Sequence, residues 1–266
     1  MTAPMPPSRD SLREHLVRHR IAGDVATPRE NNLRNIGLLA RGDPQYSFGL
    51  TFGDEWDMVR ILKTIAERVG ISPDAEYRAG PDRIDPDLTV ERLDAMAERL
   101  AVAASKRQRV LVATGHPSGL LAPDLVIAAA LSSAGAEVIT PHAGLSYESA
   151  AHLRHRRRQV RYVGAVAMVS SGGELNHTHS SRPMELMLQA MRNVGEPLPD
   201  LVVGDHGWAG AAGEAGVDVV AFADSNDPAL FVGEADGKVS VVVPLDDNVL
   251  PHLYAPIAAY LVRALH

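Results

Sequence analysis

The stretch Asp200–Asp227, DLVVGDHGWAGAAGEAGVDVVAFADSND, decides the fold. It reads as a strand, a glycine-rich loop, a short helix, a second strand and an acidic loop. Leu201–Val203 is a continuous apolar run and Val217–Phe222 is a largely apolar one, as expected for strands that are buried on both faces. Because the runs lead to Asp205 and Asp224, this stretch predicts polar clusters at the carboxyl edge of a parallel sheet, where α/β proteins bind ligands.

Beyond this stretch, the chain from Arg109 onward alternates between strand-like and helix-like segments. Further strand-like runs lie at 110–113, 137–139, 162–169 and 239–243. Helical segments are predicted at 123–134, 182–192 and 254–265. Such alternation predicts right-handed crossovers and helices on both faces of a sheet. We therefore predict an α/β fold with a doubly wound, mostly parallel, Rossmann-like sheet over residues 106–266.

Residues 1–105 differ from the rest because they show helical spacing without strand-like runs. Helices are predicted at 8–20, 28–39, 55–69 and 90–105, with a loop at 73–86. We predict that this part forms an N-terminal helical addition packed on the α/β core. Thr89 is the expected cap of the fourth of these helices, 90–105.

Composition limits the classes of function. The chain has 266 residues, of which 45% are hydrophobic, so it can bury a substantial core. Its formal net charge of -7 and its aromatic content of 5% argue against nucleic acid as a partner. No apolar run reaches about 20 residues and the start is not signal-like, so we expect a cytoplasmic protein with no membrane partner. Because cysteine is absent, any metal must be held by oxygen or imidazole.

Polar clusters follow the strand-like runs at several places. They lie at Gly115–Gly119, His177–His179, Asp205–Gly207, Asp224–Asp227 and Asp246–Asp247. A single histidine after a strand is more often a hydrogen-bonded structural residue than a catalyst. Five clusters on the same edge of a sheet instead predict one crevice that collects glycines, imidazoles and carboxylates.

Two charged segments outside these clusters have open interpretations. Arg29 and Asn31 crowd the first turn of the helix that starts at Thr27 and Pro28. This is either a solvated, well-capped turn or a helix N-terminus that receives an anion. The basic run 152–161 is typical of a solvated face, and the alternative is that it attracts a phosphorylated substrate.

Several familiar phosphate-handling motifs are matched only superficially. Asp85–Thr89 fits the D-x-D-x-T pattern of haloacid-dehalogenase-type phosphatases, but no buried strand precedes it. Leu16–Arg20 resembles the start of histidine phosphatases without the expected glycine. Gly115–Gly119 is not followed by the Lys and Ser/Thr of a P-loop. None of these three motifs supplies a mechanism.

A dinucleotide site is a stronger alternative. Gly204, Gly207, Gly210 and Gly213 lie between a strand and a helix, and Asp224 stands at the end of the next strand. This layout matches a Rossmann unit, but the spacing is G-x-x-G-x-x-G, where the dinucleotide fingerprint has G-x-G-x-x-G. A Rossmann-type dinucleotide- or nucleotide-binding protein therefore stays an alternative.

From near Ser8 to the C-terminal helix, the chain resembles a family of actinobacterial proteins of about this length that are known as phosphatases. The stretches that carry the resemblance are Arg20–Asn32, Ala113–Pro117, His177–His179, Pro199–Val203, Asp205–Gly210, Asn226–Phe231 and Val243–Asp247. The resemblance implies hydrolysis of a small phosphorylated substrate. It implies no roles for individual residues, and homo-oligomerisation stays open.

The residues themselves allow two catalytic routes. In the first route, aspartates hold one or two hard cations, Mg²⁺ or Mn²⁺, and metal-bound water attacks the phosphomonoester. In the second route, His116 or His206 is the nucleophile or general acid, and Arg29 with the loop amides holds the anion. We favour the metal route because the loops hold more carboxylates than a metal-free anion site would tolerate. A non-catalytic protein that binds a phosphorylated ligand is a third interpretation.

The candidate residues follow from these routes. The candidate catalytic residues are His116, Asp205 and His206. The candidate metal ligands are Asp205, Asp224, Asn226, Asp227, His177 and His179, with Asp246 as a further carboxylate. The candidate substrate-binding residues are Arg29, Asn31, Thr114, Gly115, Ser118, Gly119 and Trp208.

Overall fold

The computed structural model of the chain describes residues 6–151 and 154–265, with side chains described outside 150–156. The described residues form nine α-helices and nine β-strands. The helices are α1 Arg9–Arg18, α2 Arg29–Ala40, α3 Met58–Val69, α4 Pro86–Ser105, α5 Pro117–Ser133, α6 Arg182–Asn193, α7 His206–Glu214, α8 Pro228–Ala235 and α9 Ala255–Val262. The strands are β1 Arg109–Ala113, β2 Glu137–Val138, β3 Ser146–Ala151, β4 Arg154–Val163, β5 Val166–Ser171, β6 Glu174–Asn176, β7 Leu201–Asp205, β8 Asp218–Ala223 and β9 Val241–Pro244.

The strands form one mixed sheet in the order β3-β4-β5-β1-β7-β8-β9, with β2 beside β1 and β6 beside β5. Strand β1 runs parallel to β2, β5 and β7, and β7, β8 and β9 continue in parallel. Strands β3, β4 and β6 pair antiparallel and extend the sheet on the β5 side. The predicted α/β fold with a mostly parallel sheet is confirmed, whereas the Rossmann-like winding stays a prediction.

The antiparallel extension corrects one predicted strand. The run 162–169 is not a single strand, because the chain turns at Gly164, where φ is 54°, between the end of β4 and the start of β5. The basic run lies largely on β4, between β3 and β5. Its residues His152 and Leu153 lie outside the described residues.

Two helices begin earlier than predicted. Helix α5 begins at Pro117, and Pro123 lies inside it. Proline is disfavoured inside helices, so Pro123 looked like a helix start, but Pro117 occupies the first helical position, where its missing N–H is not needed. Helix α4 begins at Pro86 and is capped by Asp85, whose side chain accepts from the Asp87 amide. Thr89 is therefore not the cap.

Helices α1–α4 occupy the described part of the predicted N-terminal addition. Helix α4 packs against β9 and α9, and α3 packs against α8. Leu12 and Ile65 in this part belong to the same buried apolar cluster as Val112 and Val203 of the sheet. The boundary near residue 105 stays a prediction. Among the described residues, no helix combines the length and the apolar character needed to cross a bilayer.

The glycine-rich segment after β7 is a helix and not a loop. Helix α7 begins at His206, and Gly207, Gly210 and Gly213 recur every third residue on it. A Cβ at these positions would lie 2.4 Å from the Ser180 carbonyl carbon, 2.2 Å from the Phe48 oxygen and 2.5 Å from the Lys238 oxygen, respectively. Three neighbouring backbone segments therefore approach one face of α7. Close packing explains the glycines, and the loop that would cradle a pyrophosphate does not form.

Candidate active site

Polar segments that follow the parallel strands β1, β7, β8 and β9 meet at the carboxyl edge of the sheet, around an open pocket of about 600 Å³, and the segment after the antiparallel strand β6 joins them. The sheet side of the pocket is lined by His116, His177, His179, His206, Asp224, Asn226, Asp227, Asp246 and Asp247. The other side is lined by residues of the first 46, including His19, Arg20, Thr27, Asn31, Arg34, Asn35 and Tyr46. The predicted convergence of strand-end clusters is thus present in the structure.

His206 stands at the centre of the buried charges. It begins α7 with a φ of 43°, in the left-handed region that residues other than glycine seldom adopt. Its Nδ1 lies 2.9 Å from Asp205 Oδ1, and its Nε2 lies 3.3 Å from Asp227 Oδ2 and 3.6 Å from Asp247 Oδ2. Burial opposes the charged form, but Asp227 and Asp205 outweigh it and raise the pKa of His206 well above its usual value.

Asp205 is fixed by the loop after β1. Its Oδ2 accepts a hydrogen bond from Thr114 Oγ1 at 2.5 Å, and its Oδ1 accepts one from the Gly115 amide at 2.5 Å. Burial acts to raise the pKa of Asp205, but the contact with His206, followed by these two hydrogen bonds, outweighs burial and lowers the pKa. Asp205 is therefore an ionised carboxylate that orients the His206 ring. The Thr114 hydroxyl and the Gly115 amide donate to Asp205 and are therefore not free to donate to a bound anion.

His116 forms a second histidine–aspartate contact. It precedes the first residue of α5, and its Nδ1 lies 3.1 Å from Asp247 Oδ2 without the alignment of a hydrogen bond. Burial disfavours the charged imidazolium, but Asp247 outweighs burial and raises the pKa of His116. The His116 ring also stacks on His177, with centroids 4.3 Å apart. His116 can thus carry a proton next to the pocket.

His177 and His179 follow β6 and turn their rings to the same side. Their Nε2 atoms are 3.1 Å apart, and His179 stacks on His206 with centroids 4.5 Å apart. Desolvation, followed by the positive charge of His206, lowers the pKa of both His177 and His179 to about 4. Both rings are therefore neutral near pH 7 and keep a lone pair for a Lewis acid.

Three buried aspartates form a separate group on the β8 and β9 side. One carboxylate oxygen from each of Asp224, Asp246 and Asp247 lies within 4.8 Å of the others. Asp224 accepts from Thr27 Oγ1 at 2.6 Å, and Asp246 accepts from the Ala26 amide at 3.3 Å. Burial, followed by repulsion from Asp247 and Asp246, raises the pKa of Asp224 well above its usual value.

These side chains supply three sets of possible ligand atoms for a cation. The sets are His116, His177 and His206; His179, His206 and Asp227; and Asp224, Asp246 and Asp247. Carboxylate and imidazole are the ligands that Mg²⁺, Mn²⁺ and Zn²⁺ use in proteins. The five aspartates of the pocket region, including Asp205, are no more than 5% exposed, so each of them needs either a nearby cation or a proton.

Some predicted substrate-binding residues do not line the pocket. Arg29 is fully buried on the opposite face of α2, where it pairs with Asp82 at 3.1 Å. It also donates to the carbonyl oxygens of Tyr77 and Asp74. A buried guanidinium needs partners for its donors, and the loop 74–82 provides them. The structure therefore places Arg29 away from the pocket, with its guanidinium already paired within the protein.

Ser118, Gly119 and Trp208 are likewise outside the pocket lining. Ser118 is exposed in the first turn of α5. A Cβ at Gly119 would lie 2.2 Å from the Asp247 carbonyl oxygen, so Gly119 allows the loop after β9 to approach α5. Trp208 is fully buried in α7. Among the predicted substrate-binding residues, Asn31 does line the pocket.

Several pocket residues were not assigned from the sequence. Asp247 contacts both His116 and His206, although Asp246 was the only residue of that pair considered as a metal ligand. Arg34 and Asn35 line the pocket from α2. Both residues could have been predicted from the sequence, because they lie three and four positions after Asn31 and residues with this spacing share one face of a helix.

The fold and the pocket define an α/β protein with a candidate enzymatic site of histidines and aspartates. The chain belongs to the family described as Phosphatase, whose family model matches residues 7–266. It is also 51% identical over 263 residues to a Streptomyces coelicolor protein that is named as a phosphatase, and the match covers 98% of this chain and 97% of that protein. The resemblance to an actinobacterial phosphatase family is therefore confirmed.

Proposed function

We propose that this chain is a phosphatase that hydrolyses a small phosphomonoester in the pocket at the carboxyl edge of the sheet, with the assistance of Mg²⁺ or Mn²⁺. The observation that carries the proposal is the adjacency of the Asp224–Asp246–Asp247 group to the set His179, His206 and Asp227 in one pocket. The name of the family and of the Streptomyces relative supports the reaction class.

The charge of the pocket supports assistance by cations. Five buried aspartates surround two histidines whose pKa values are raised, His116 and His206. A phosphomonoester dianion would be repelled by this excess of carboxylates unless cations were bound. Divalent cations also supply an activated water and neutralise the phosphoryl oxygens.

The residues of the chain have distinct tasks in this proposal. Asp205, held by Thr114 and Gly115, keeps the His206 ring in place through Nδ1. Asp224, Asp246 and Asp247 form the oxygen-only ligand group, and His179 and Asp227 belong to the mixed group. His116 is the proton donor: water attacks phosphorus, the P–O ester bond breaks, and the imidazolium protonates the leaving alkoxide.

Phosphate release tests the proposal. The protein is stripped with chelator, supplied with Mg²⁺, Mn²⁺ or Zn²⁺, and given a panel of phosphomonoesters that includes p-nitrophenyl phosphate. We expect one metal to restore release, and we expect Asp224→Asn to lower kcat about 100-fold or more because one ligand is lost. Asp54→Asn, at an exposed position outside the pocket, is the matched control.

Two outcomes would contradict the proposal. Release that persists after chelation, with Asp224→Asn fully active, would overturn the role of the metal. No release from any substrate, together with thermal stabilisation by a nucleotide or sugar phosphate, would identify a non-catalytic binding protein.

A further inference from the structure

One face of α2 carries polar side chains that the proposed chemistry does not use. Asn31, Arg34 and Asn35 line the pocket, whereas Arg29, Asn32 and Ile36 of the same helix are buried within the protein. Helical spacing places the first three residues together, because positions three and four apart are neighbours on the surface of a helix. Helix α2 thus forms the wall that faces the histidines and aspartates.

The side-chain donors of Arg34 are free to bind a ligand, whereas those of Arg20, the other arginine that lines the pocket, are partly used. Among the described residues, Arg34 is exposed and forms neither an ion pair nor a side-chain hydrogen bond within the usual distances. Arg20 already donates its Nε to Asp24 O and one terminal nitrogen to Val25 O. The guanidinium of Arg34 therefore keeps its planar set of donors, which matches a phosphate or a carboxylate.

The position of α2 is fixed relative to the carboxylates. Thr27 and Ala26, just before the helix, bond Asp224 and Asp246, and Asn35 Nδ2 donates to Asn226 O at 2.7 Å. Arg34 follows the first helical residue by five positions, which is about 7.5 Å along the helix axis. No carboxylate of the pocket lies within ion-pair distance of Arg34 among the described residues. Arg34 is thus on the rim, while the carboxylates form the floor.

From this geometry, and resting on the proposed function, we infer that Arg34 binds a second anionic group of the substrate while the transferred phosphoryl group lies on the floor. The substrate class is then a phosphomonoester that carries a further phosphate or carboxylate several ångströms from the reacting phosphorus. Asn31 stands beside Arg34 on the same wall, whereas the Asn35 amide already donates to Asn226 O.

Paired substrates test this inference. The rate of phosphate release is measured with the metal-loaded protein on adenosine 5′-monophosphate against adenosine 3′,5′-bisphosphate, and on phenyl phosphate against 4-carboxyphenyl phosphate. We expect kcat/KM to be about 10- to 100-fold higher for the member with the second anion, as for a charged hydrogen bond. The pair that shows the larger ratio distinguishes a phosphate from a carboxylate.

Variants then assign the preference to Arg34. We expect Arg34→Ala to bring the ratio close to 1 through a higher KM for the doubly anionic member, and Arg34→Lys to keep part of it. Arg41→Ala is the matched control, because Arg41 is exposed at the end of the same helix but does not line the pocket. A ratio near 1 in the unmodified protein, or one that Arg34→Ala leaves intact, overturns the inference. Absence of release from all four compounds contradicts the proposed function instead.

Discussion

The Arg29–Asp82 pair and the pocket around His206 both hold charges away from water, but the protein neutralises them to different degrees. Arg29 faces Asp82, and its remaining donors reach the carbonyl oxygens of Tyr77 and Asp74. Asp82 in turn accepts from Asn32 Nδ2 and the Ser72 amide. Opposite charges and hydrogen bonds are therefore matched within the protein itself.

The pocket differs because its aspartates exceed its cationic partners. His206 lies within 3.6 Å of oxygens from Asp205, Asp227 and Asp247, while Asp224 is left with a neutral partner, Thr27. The comparison teaches that burial alone does not mark a functional site. A functional site is marked by a buried charge that has no opposite charge within the protein, because a bound ligand or cation must then neutralise it.

The largest expected effect comes from breaking the balanced cluster. Arg29→Met leaves Asp82 buried without its cation, so we expect the free energy of unfolding to fall by about 3–5 kcal/mol. The measurement is the urea midpoint at neutral pH. Arg34→Met, on the exposed face of the same helix, is the control and should change stability by about 0.5 kcal/mol or less.

A measurement of enzyme activity distinguishes a structural role of Arg29 from the predicted role in binding the substrate. If Arg29 is structural, folded Arg29→Met protein at low temperature should keep the KM of the unmodified protein. A KM that rises at least tenfold while the urea midpoint stays constant would show that Arg29 contacts the substrate, against the contacts seen here.

An intermediate effect is expected from removing one unbalanced charge. Asp246→Asn keeps an oxygen that can accept from the Asn248 amide but removes a carboxylate from the group with Asp224 and Asp247. In the unmodified protein, Mn²⁺ at 100 times its Kd should stabilise the fold by about 2.7 kcal/mol. We expect the variant to lose at least about 1.4 kcal/mol of that gain, which corresponds to a tenfold weaker Kd.

Urea unfolding with and without Mn²⁺ measures this difference. In the metal-free state, Asp246→Asn should be at least as stable as the unmodified protein, because repulsion among buried carboxylates is reduced. The exposed Asp54→Asn variant should keep the whole gain. Equal stabilisation by Mn²⁺ in all three proteins would mean that the aspartate group does not bind the cation.

Sequence patterns predicted the parts of this molecule that depend on local periodicity. The apolar runs of β7 and β8 identified a parallel sheet, and the strand ends placed His206 and Asp224 at one edge. These inferences hold because a buried parallel strand must be apolar on both faces, and the residues at its carboxyl end lie at the edge of the sheet where ligands bind.

Features that depend on distant partners were not predictable in this way. The direction of Arg29 is set by the carbonyl groups of loop 74–82, which no local pattern reveals. The glycines of α7 resembled a phosphate loop, because the three backbone segments that approach them are far away in the sequence. Similarly, the turn at Gly164 interrupts an apolar run that reads as continuous.

The smallest expected effect is a pH dependence that belongs to the pocket alone. Burial and the charge of His206 lower the pKa of His179 from 6.5 to about 4 in the folded protein. Between these values the unfolded chain binds a proton that the folded protein does not, so the stability present above pH 6.5 is lost as the pH falls towards 4. In metal-free His179→Gln, this loss should be smaller by about 1 kcal/mol, since solvent screens a partly exposed ring.

Urea midpoints at pH 7 and pH 4.5 measure the difference, with the exposed His252→Gln variant as the control. If both variants lose as much stability as the unmodified protein, His179 is not held neutral by its surroundings, and the unbalanced charge of the pocket does not extend to this ring.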